Sequence, residues 1–152
     1  MSRFSFADLG PDLILDALDE LGLGVSSGLL PLNSFENRVY QFLDDDRCRW
    51  VVKFYRPERW SDQQIQEEHD FAAELAAAEV PVVAPVSLNG QTLHHSQGYR
   101  LALYPSVGGR AVEIADLDTL DTLGQYLGRL HQVGAAKAFT HRETLDLSLI
   151  HI

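Results

Sequence analysis

The sequence predicts an α+β domain with a mainly antiparallel sheet, one helix packed on it and a further helix beyond a break. Three observations carry that prediction. β-prone runs are joined by short polar turns, apolar residues recur at helical spacing before, between and after those runs, and an Asn-Gly pair marks a hairpin.

The first element is a helix over residues 11–21. Pro11 suits the first helical position, where the missing N–H is not needed. Leu13, Ile14, Ala17, Leu18 and Leu21 share one face, Asp12, Asp16, Asp19 and Glu20 the other, and Gly22 and Gly24 stop the helix. Residues 25–32 read as a strand and residues 33–37 as a polar turn. Residues 38–43 form a second strand around Val39, Tyr40 and Phe42. After a turn at 44–47, residues 50–55 form a third strand, ended by Pro57. Short connections of this kind predict an antiparallel meander.

Ser61 opens the next helix, to about Ala78, and Ser61 with Gln64 has capping-box spacing. Its buried stripe is expected to be Ile65, Phe71 or Ala72, and Leu75. Residues 80–85 are too proline-rich for a helix. Residues 86–88 and 92–95 flank Asn89-Gly90 as a hairpin, and 99–104 form the next strand. Residues 105–109 break it. Leu117, Leu120, Leu123, Leu127 and Leu130 then define a long helix over about 116–133, with Gly134 as its stop.

The length of 152 residues is enough to bury roughly 68–70% of the unfolded surface without a disulfide or metal. The one cysteine, Cys48, excludes an internal disulfide framework and fits a reducing compartment. No apolar run approaches the roughly 18 residues of a membrane span, and the first residues lack the apolar stretch of a signal peptide. No membrane partner is expected. The net charge of −10 argues against broad nucleic-acid binding, which needs a basic surface.

Against that background a few residues stand out. Lys53 lies near the end of an apolar strand and Glu68 in the helix that follows. A strand lysine paired with a glutamate from a packed helix can hold the phosphates of a nucleotide. A solvated strand-end lysine is the plainer reading from pattern alone. The chain has two lysines, Lys53 and Lys137, against ten arginines, a weak hint that Lys53 fills a role arginine would not. Ser34 could offer its hydroxyl and the turn its N–H groups to a phosphate, but no G-x-G-x-x-G is present and an ordinary polar hairpin turn is the favoured reading from the residues alone. Arg47, Arg49, Lys53, Arg56 and Arg59 make a local basic strip, open to two readings: a phosphate-facing surface, or solvated charges balanced by Asp44, Asp45 and Asp46. The arginines beside Trp60 offer a stacking role. The histidines have no metal-site spacing: the side chains of His94 and His95 diverge on a strand, and His131 reads as a core or boundary residue.

Longer motifs carry a resemblance. Pro31-Leu32-Asn33-Ser34-Phe35-Glu36-Asn37-Arg38-Val39-Tyr40-Gln41-Phe42 and Val51-Val52-Lys53-Phe54-Tyr55-Arg56-Pro57-Glu58-Arg59-Trp60 are followed in order by Glu67-Glu68-His69, Glu79-Val80-Pro81-Val82, Pro105-Ser106-Val107-Gly108-Gly109-Arg110 and Leu127-Gly128-Arg129-Leu130-His131. Together they resemble the bacterial stress response kinase A family. Its members are Ser/Thr protein kinases of the aminoglycoside phosphotransferase and choline-kinase-like group, with a protein-kinase-like fold. The resemblance spans about residues 4–145. It implies a helical extension over 1–24, a kinase-like N-lobe over 25–104, and a hinge with the start of a C-lobe over 105–146. It implies ATP and Mg²⁺ as cofactors, and ATP and a substrate protein as partners.

By the same resemblance Lys53 holds the phosphates and Glu68 is its partner, with Glu67 as the fallback. Ser34, Phe35, Glu36, Asn37 and Arg38 form the phosphate-covering turn. Leu103, Tyr104, Pro105, Ser106 and Val107 form the adenine-binding hinge. The family's catalytic His-Gly-Asp loop and metal-binding aspartate have no counterpart among these 152 residues. The catalytic base is expected beyond Ile152, and no catalytic residue and no metal ligand is assigned within the chain. The resemblance implies a longer kinase, monomeric, of which this chain alone is inactive. The leucine stripe over 116–133 is expected to lack its partners and to favour self-association. Residues 147–152, Leu147 to Ile152, match the conceptual translation of a transposon end used in sequencing libraries and are expected to be non-native. The alternative to a kinase is a non-enzymatic nucleotide-binding or protein-interaction module.

Overall fold

The computed structural model describes residues 5–113 and 116–148. The order is α1 (Pro11–Glu20), β1 (Leu30–Leu32), β2 (Arg38–Leu43), β3 (Arg49–Phe54), α2 (Asp62–Ala77), β4 (His94–Ser96), β5 (Tyr99–Pro105) and α3 (Leu117–Ala135). The strands form one antiparallel sheet in the order β1-β2-β3-β5-β4. Of the expected 147–152 tail, residues 149–152 lie outside the described residues, Ile152 among them.

Strand alternation divides the core between two faces. Phe42, Val52, Phe54, Leu101 and Leu103 pack with Ile14, Ala17 and Leu18 of α1. On the other face Tyr55 and Ala102 pack with Ile65 of α2. The sheet thus lies between α1 and α2, with Lys53 on the α2 side.

Within the sheet, two stretches differ from the sequence expectation. The first is β1. Only Leu30–Leu32 pairs as a strand, and Val25 contributes one isolated bridge to Asp44. Ser26 and Ser27 explain the gap. The Ser26 hydroxyl donates to the Asp44 carbonyl at 2.6 Å, and the Leu43 N–H donates to Ser27 Oγ at 2.8 Å. Side-chain hydroxyls here take contacts that a backbone ladder would otherwise make. The second difference lies at the hairpins. Asn89 and Gly90 do adopt the positive φ of a two-residue turn, but only Leu88 and Gln91 pair across it. The longer hairpin is β4–β5, turned by Gln97 (φ 49°) and Gly98 (φ 85°). Glutamine is a poor turn signal, which hid it.

The Ser61 capping box is present: Gln64 N–H donates to Ser61 Oγ at 3.1 Å, and Ser61 N–H donates to Gln64 Oε1 at 2.9 Å. Ser61→Ala is expected to cost about 1 kcal/mol of stability, read by urea denaturation. The buried stripe of α2 is Ile65, His69 and Leu75. His69 replaces the expected Phe71 or Ala72, because its ring finds polar partners in the interior. Helix α3 continues past Gly134, which does not take the left-handed conformation of a helix stop. No described side chain of α3 is buried. Leu117, Leu123 and Leu127 are exposed, and so is His131, against the expectation of a core or boundary position.

Candidate functional site

Lys53 is the next-to-last residue of β3, opposite Val39 on β2 and Ala102 on β5. It therefore stands in mid-sheet, and small Ala102 leaves its side chain room. Its Nζ lies 3.6 Å from Glu68 Oε1. Beneath it are two aromatic rings, Tyr55 with its centroid at 4.7 Å and Tyr104 at 5.1 Å. The ring faces attract the ammonium, and the glutamate fixes its direction. The lysine is 21% exposed, so its charge is partly shielded but still reachable.

Glu67, the fallback partner, points elsewhere. Its carboxylate accepts the backbone N–H groups of Thr140 at 2.5 Å, His141 at 2.9 Å and Arg142 at 2.8 Å. Desolvation raises its pKa, but these backbone donors outweigh it and hold the group at about 2. The second oxygen of Glu68 lies 3.3 Å from the Arg142 guanidinium.

Under the Lys53–Glu68 pair runs a buried polar chain. The Tyr55 hydroxyl lies 2.7 Å from His69 Nε2, and His69 Nδ1 lies 2.9 Å from Thr92 Oγ1. A neutral imidazole fits both contacts, donating at one nitrogen and accepting at the other. Burial pushes the His69 pKa down to about 4, against the raising effect of Glu68. Burial also pushes the Tyr55 phenol well above its ordinary value, helped by Tyr104. This chain ties β3 to α2 one residue beyond Glu68 and two beyond Lys53.

The 34–38 turn is tied to the segment joining β3 to α2. Glu36 accepts from Arg59 Nε at 2.9 Å and from Trp60 Nε1 at 3.0 Å. Asn37 Oδ1 accepts the Arg56 N–H at 3.2 Å, and Asn37 N–H donates to Ser34 Oγ at 3.3 Å. Phe35 is fully exposed. Arg38 lies 4.9 Å from the Phe6 ring. Arg59 stacks on Trp60 at 4.0 Å, so within the basic strip it has a structural role.

Next along β5 from Ala102, Leu103 is buried and its carbonyl accepts the Val86 N–H at 2.7 Å. Tyr104 pairs with Val51, and Pro105 with Trp50. Ser106 N–H donates to the Arg49 carbonyl at 3.2 Å, and Val107 is exposed.

Tyr55, His69 and Arg142 were not among the candidate residues. Period-two alternation from Lys53 puts Tyr55 on the same face, a signal that was available. Nothing in sequence connects Arg142 to Glu68 across 74 residues. The His94 and His95 side chains diverge as expected: His94 is buried, while His95 meets Asp62 at 2.9 Å. A cleft of about 300 Å³ between α2 and residues 137–141 is lined by neither Lys53 nor Glu68. Among the described residues no cluster of three or more His, Cys, Asp or Glu side chains is placed to hold a metal ion. The catalytic base expected beyond Ile152 falls outside the described residues, which end at Ser148. No helix among them is long and apolar enough to cross a membrane.

The phosphotransferase enzyme family matches residues 28–150. Stress response kinase A of Escherichia coli (strain K12) is 58% identical over 147 residues, covering 97% of this chain and 45% of that protein. A Salmonella typhimurium protein named serine/threonine protein kinase RdoA is 59% identical over the same shares. The chain thus spans about half the length of the curated relatives it matches. Among solved structures, amicoumacin kinase hAmiN in complex with AMP-PNP, Ca²⁺ and Ami superposes with a TM-score of 0.75 at 23% identity, over 91% of this chain and 44% of that one. A microcompartment-associated aminopropanol kinase superposes with a TM-score of 0.70 at 22% identity, over 90% and 45%. These likenesses show the shared α+β fold, that of the N-terminal part of such kinases. By family match and fold, this chain belongs to the phosphotransferase enzyme family.

Proposed function

We propose that this chain is the ATP-binding part of a stress-response Ser/Thr protein kinase. The observation that carries the reading is the Lys53–Glu68 pair at 3.6 Å, set in mid-sheet above two aromatic rings. A fixed ammonium at that position offers a point charge to the β- and γ-phosphate oxygens. The 34–38 turn, with the exposed Ser34 hydroxyl, covers the phosphates, and residues 103–107 meet the adenine through their backbone. The names of the relatives support a protein hydroxyl as acceptor and stress as the setting.

In the longer protein, which we read as cytoplasmic and monomeric, the γ-phosphoryl group passes to a Ser or Thr hydroxyl. We place the base that accepts the hydroxyl proton and the ligands of Mg²⁺ in the part of the longer protein that this chain does not span. The 152-residue chain is therefore expected to bind ATP without transferring phosphate. Isothermal titration with ATP and a phosphorylation assay on the same sample test both halves. Binding without transfer supports the reading. Transfer by this chain overturns the assignment of inactivity, and absence of ATP binding overturns the nucleotide site.

A further inference from the structure

Arg142 joins three parts of the molecule that are far apart in sequence. Its guanidinium lies 3.3 Å from Glu68 Oε2, while the other oxygen of Glu68 faces Lys53. The same guanidinium lies 4.5 Å from the centroid of Trp60. The Trp60 indole N–H donates to Glu36, inside the 34–38 turn. The backbone N–H of Arg142 donates to Glu67, as do those of Thr140 and His141. Glu67 stays ionised across the physiological range and so keeps this anchor.

We propose that Arg142 is a positioning residue that couples the 34–38 turn to the Lys53–Glu68 pair. The inference rests on the nucleotide-site reading above and assigns that site an internal brace. A carboxylate with one cationic partner can turn to follow it. With Arg142 on its second oxygen, Glu68 is held from both sides and presents Lys53 in one direction. The charges matter as well. Glu67 and Glu68 together would outweigh Lys53, and Arg142 brings the set of Lys53, Arg142, Glu67 and Glu68 to neutrality, which leaves the ammonium able to attract an anionic polyphosphate. The planar guanidinium matters for the link to Trp60, since an ammonium lacks the flat face that stacks on an indole.

The test uses the ¹⁵N-labelled 152-residue chain and its two indole N–H signals, assigned with Trp60→Phe. The Trp50 indole N–H donates to Asp44 at 2.8 Å, and its signal reports that the fold is intact. Glu68→Gln is expected to move the Trp60 indole signal and leave Trp50 in place. In an Arg142→Ala background the same substitution should no longer move Trp60. A Trp60 signal indifferent to Glu68→Gln overturns the coupling, whether or not the chain binds ATP. Should Arg142→Ala disturb Trp50 as well, Arg142→Lys takes its place, and the response of Trp60 to Glu68→Gln should then shrink.

A second readout is ATP affinity. Arg142→Ala is expected to raise Kd roughly tenfold, with Arg142→Lys recovering part of the loss. Equal Kd values for the parent chain and Arg142→Ala overturn the proposal while leaving the nucleotide site standing. A parent chain that binds no ATP instead overturns the nucleotide site, and the Trp60 signal then decides the coupling alone.

Discussion

Replacing Lys53 with methionine is expected to weaken ATP binding roughly 10–150-fold, read as the Kd by titration. Methionine keeps an unbranched stem of similar length and removes the ammonium that lies over the tyrosine rings. A hydrogen bond to a charged group contributes about 1.5–3 kcal/mol, which corresponds to that range of Kd. The fold should hold, because the ion pair with Glu68 is partly exposed, with Lys53 21% and Glu68 42% accessible. Pairs of that kind contribute about 0–1 kcal/mol to stability. A Lys53→Met chain that binds ATP as the parent does would remove the lysine from the site. Glu68→Gln should show a smaller loss, since the ammonium remains and only its orientation is released.

The second large effect is a loss of stability in mild acid. His69 is almost fully buried and its pKa is held down to about 4, chiefly by burial. Unfolded, the imidazole titrates near 6.5. Between those values the unfolded chain binds a proton that the folded chain does not, so stability rises with pH. The contribution is fully present above pH 6.5 and lost as pH falls through about 4. The gap corresponds to about 3 kcal/mol. His94, whose pKa is also lowered by burial and by neighbouring His95, acts in the same direction. The carboxylates held low act below this window. Glu67, the one with a pKa near 2, loses its contribution only as pH falls from about 4.5 toward 2. Urea denaturation at pH 7, 5.5 and 4 checks the prediction. His69→Gln keeps a polar side chain without the titration, and its stability should vary much less across the window. A parent chain equally stable at pH 7 and pH 4 would refute the account.

Much of the architecture was legible because local signals agreed with the tertiary result. The Ser61 capping box, the alternation in β2 and β3 and the leucine spacing of α3 all appear where periodicity and capping place them. Two of the failures have a common cause: polar side chains found partners that local pattern does not reveal. Ser26 and Ser27 bond to the end of β2, and so the run from 25 to 29 does not pair as a strand. His69 takes a core position because Tyr55 and Thr92 satisfy its two nitrogens, a fact invisible from helical spacing. In the site, the pairing of Lys53 with Glu68 was readable because strand and helix are adjacent in sequence. The choice of Glu68 over Glu67 needed the rotation of α2, which three backbone N–H groups from residues 140–142 help to set. Arg142 itself was beyond reach, since contacts between segments so far apart leave no local mark.

The scarcity of lysine has a practical consequence. Lys53 and Lys137 are the chain's two lysines, and their side chains are 21% and 71% exposed. An amine-reactive acylating reagent therefore meets two side chains of very different accessibility. Modification at Lys137 supplies an internal standard for modification at Lys53, so peptide analysis with and without ATP tests whether the proposed phosphate position is occupied. The molecule carries its own footprinting reference, with no engineered label.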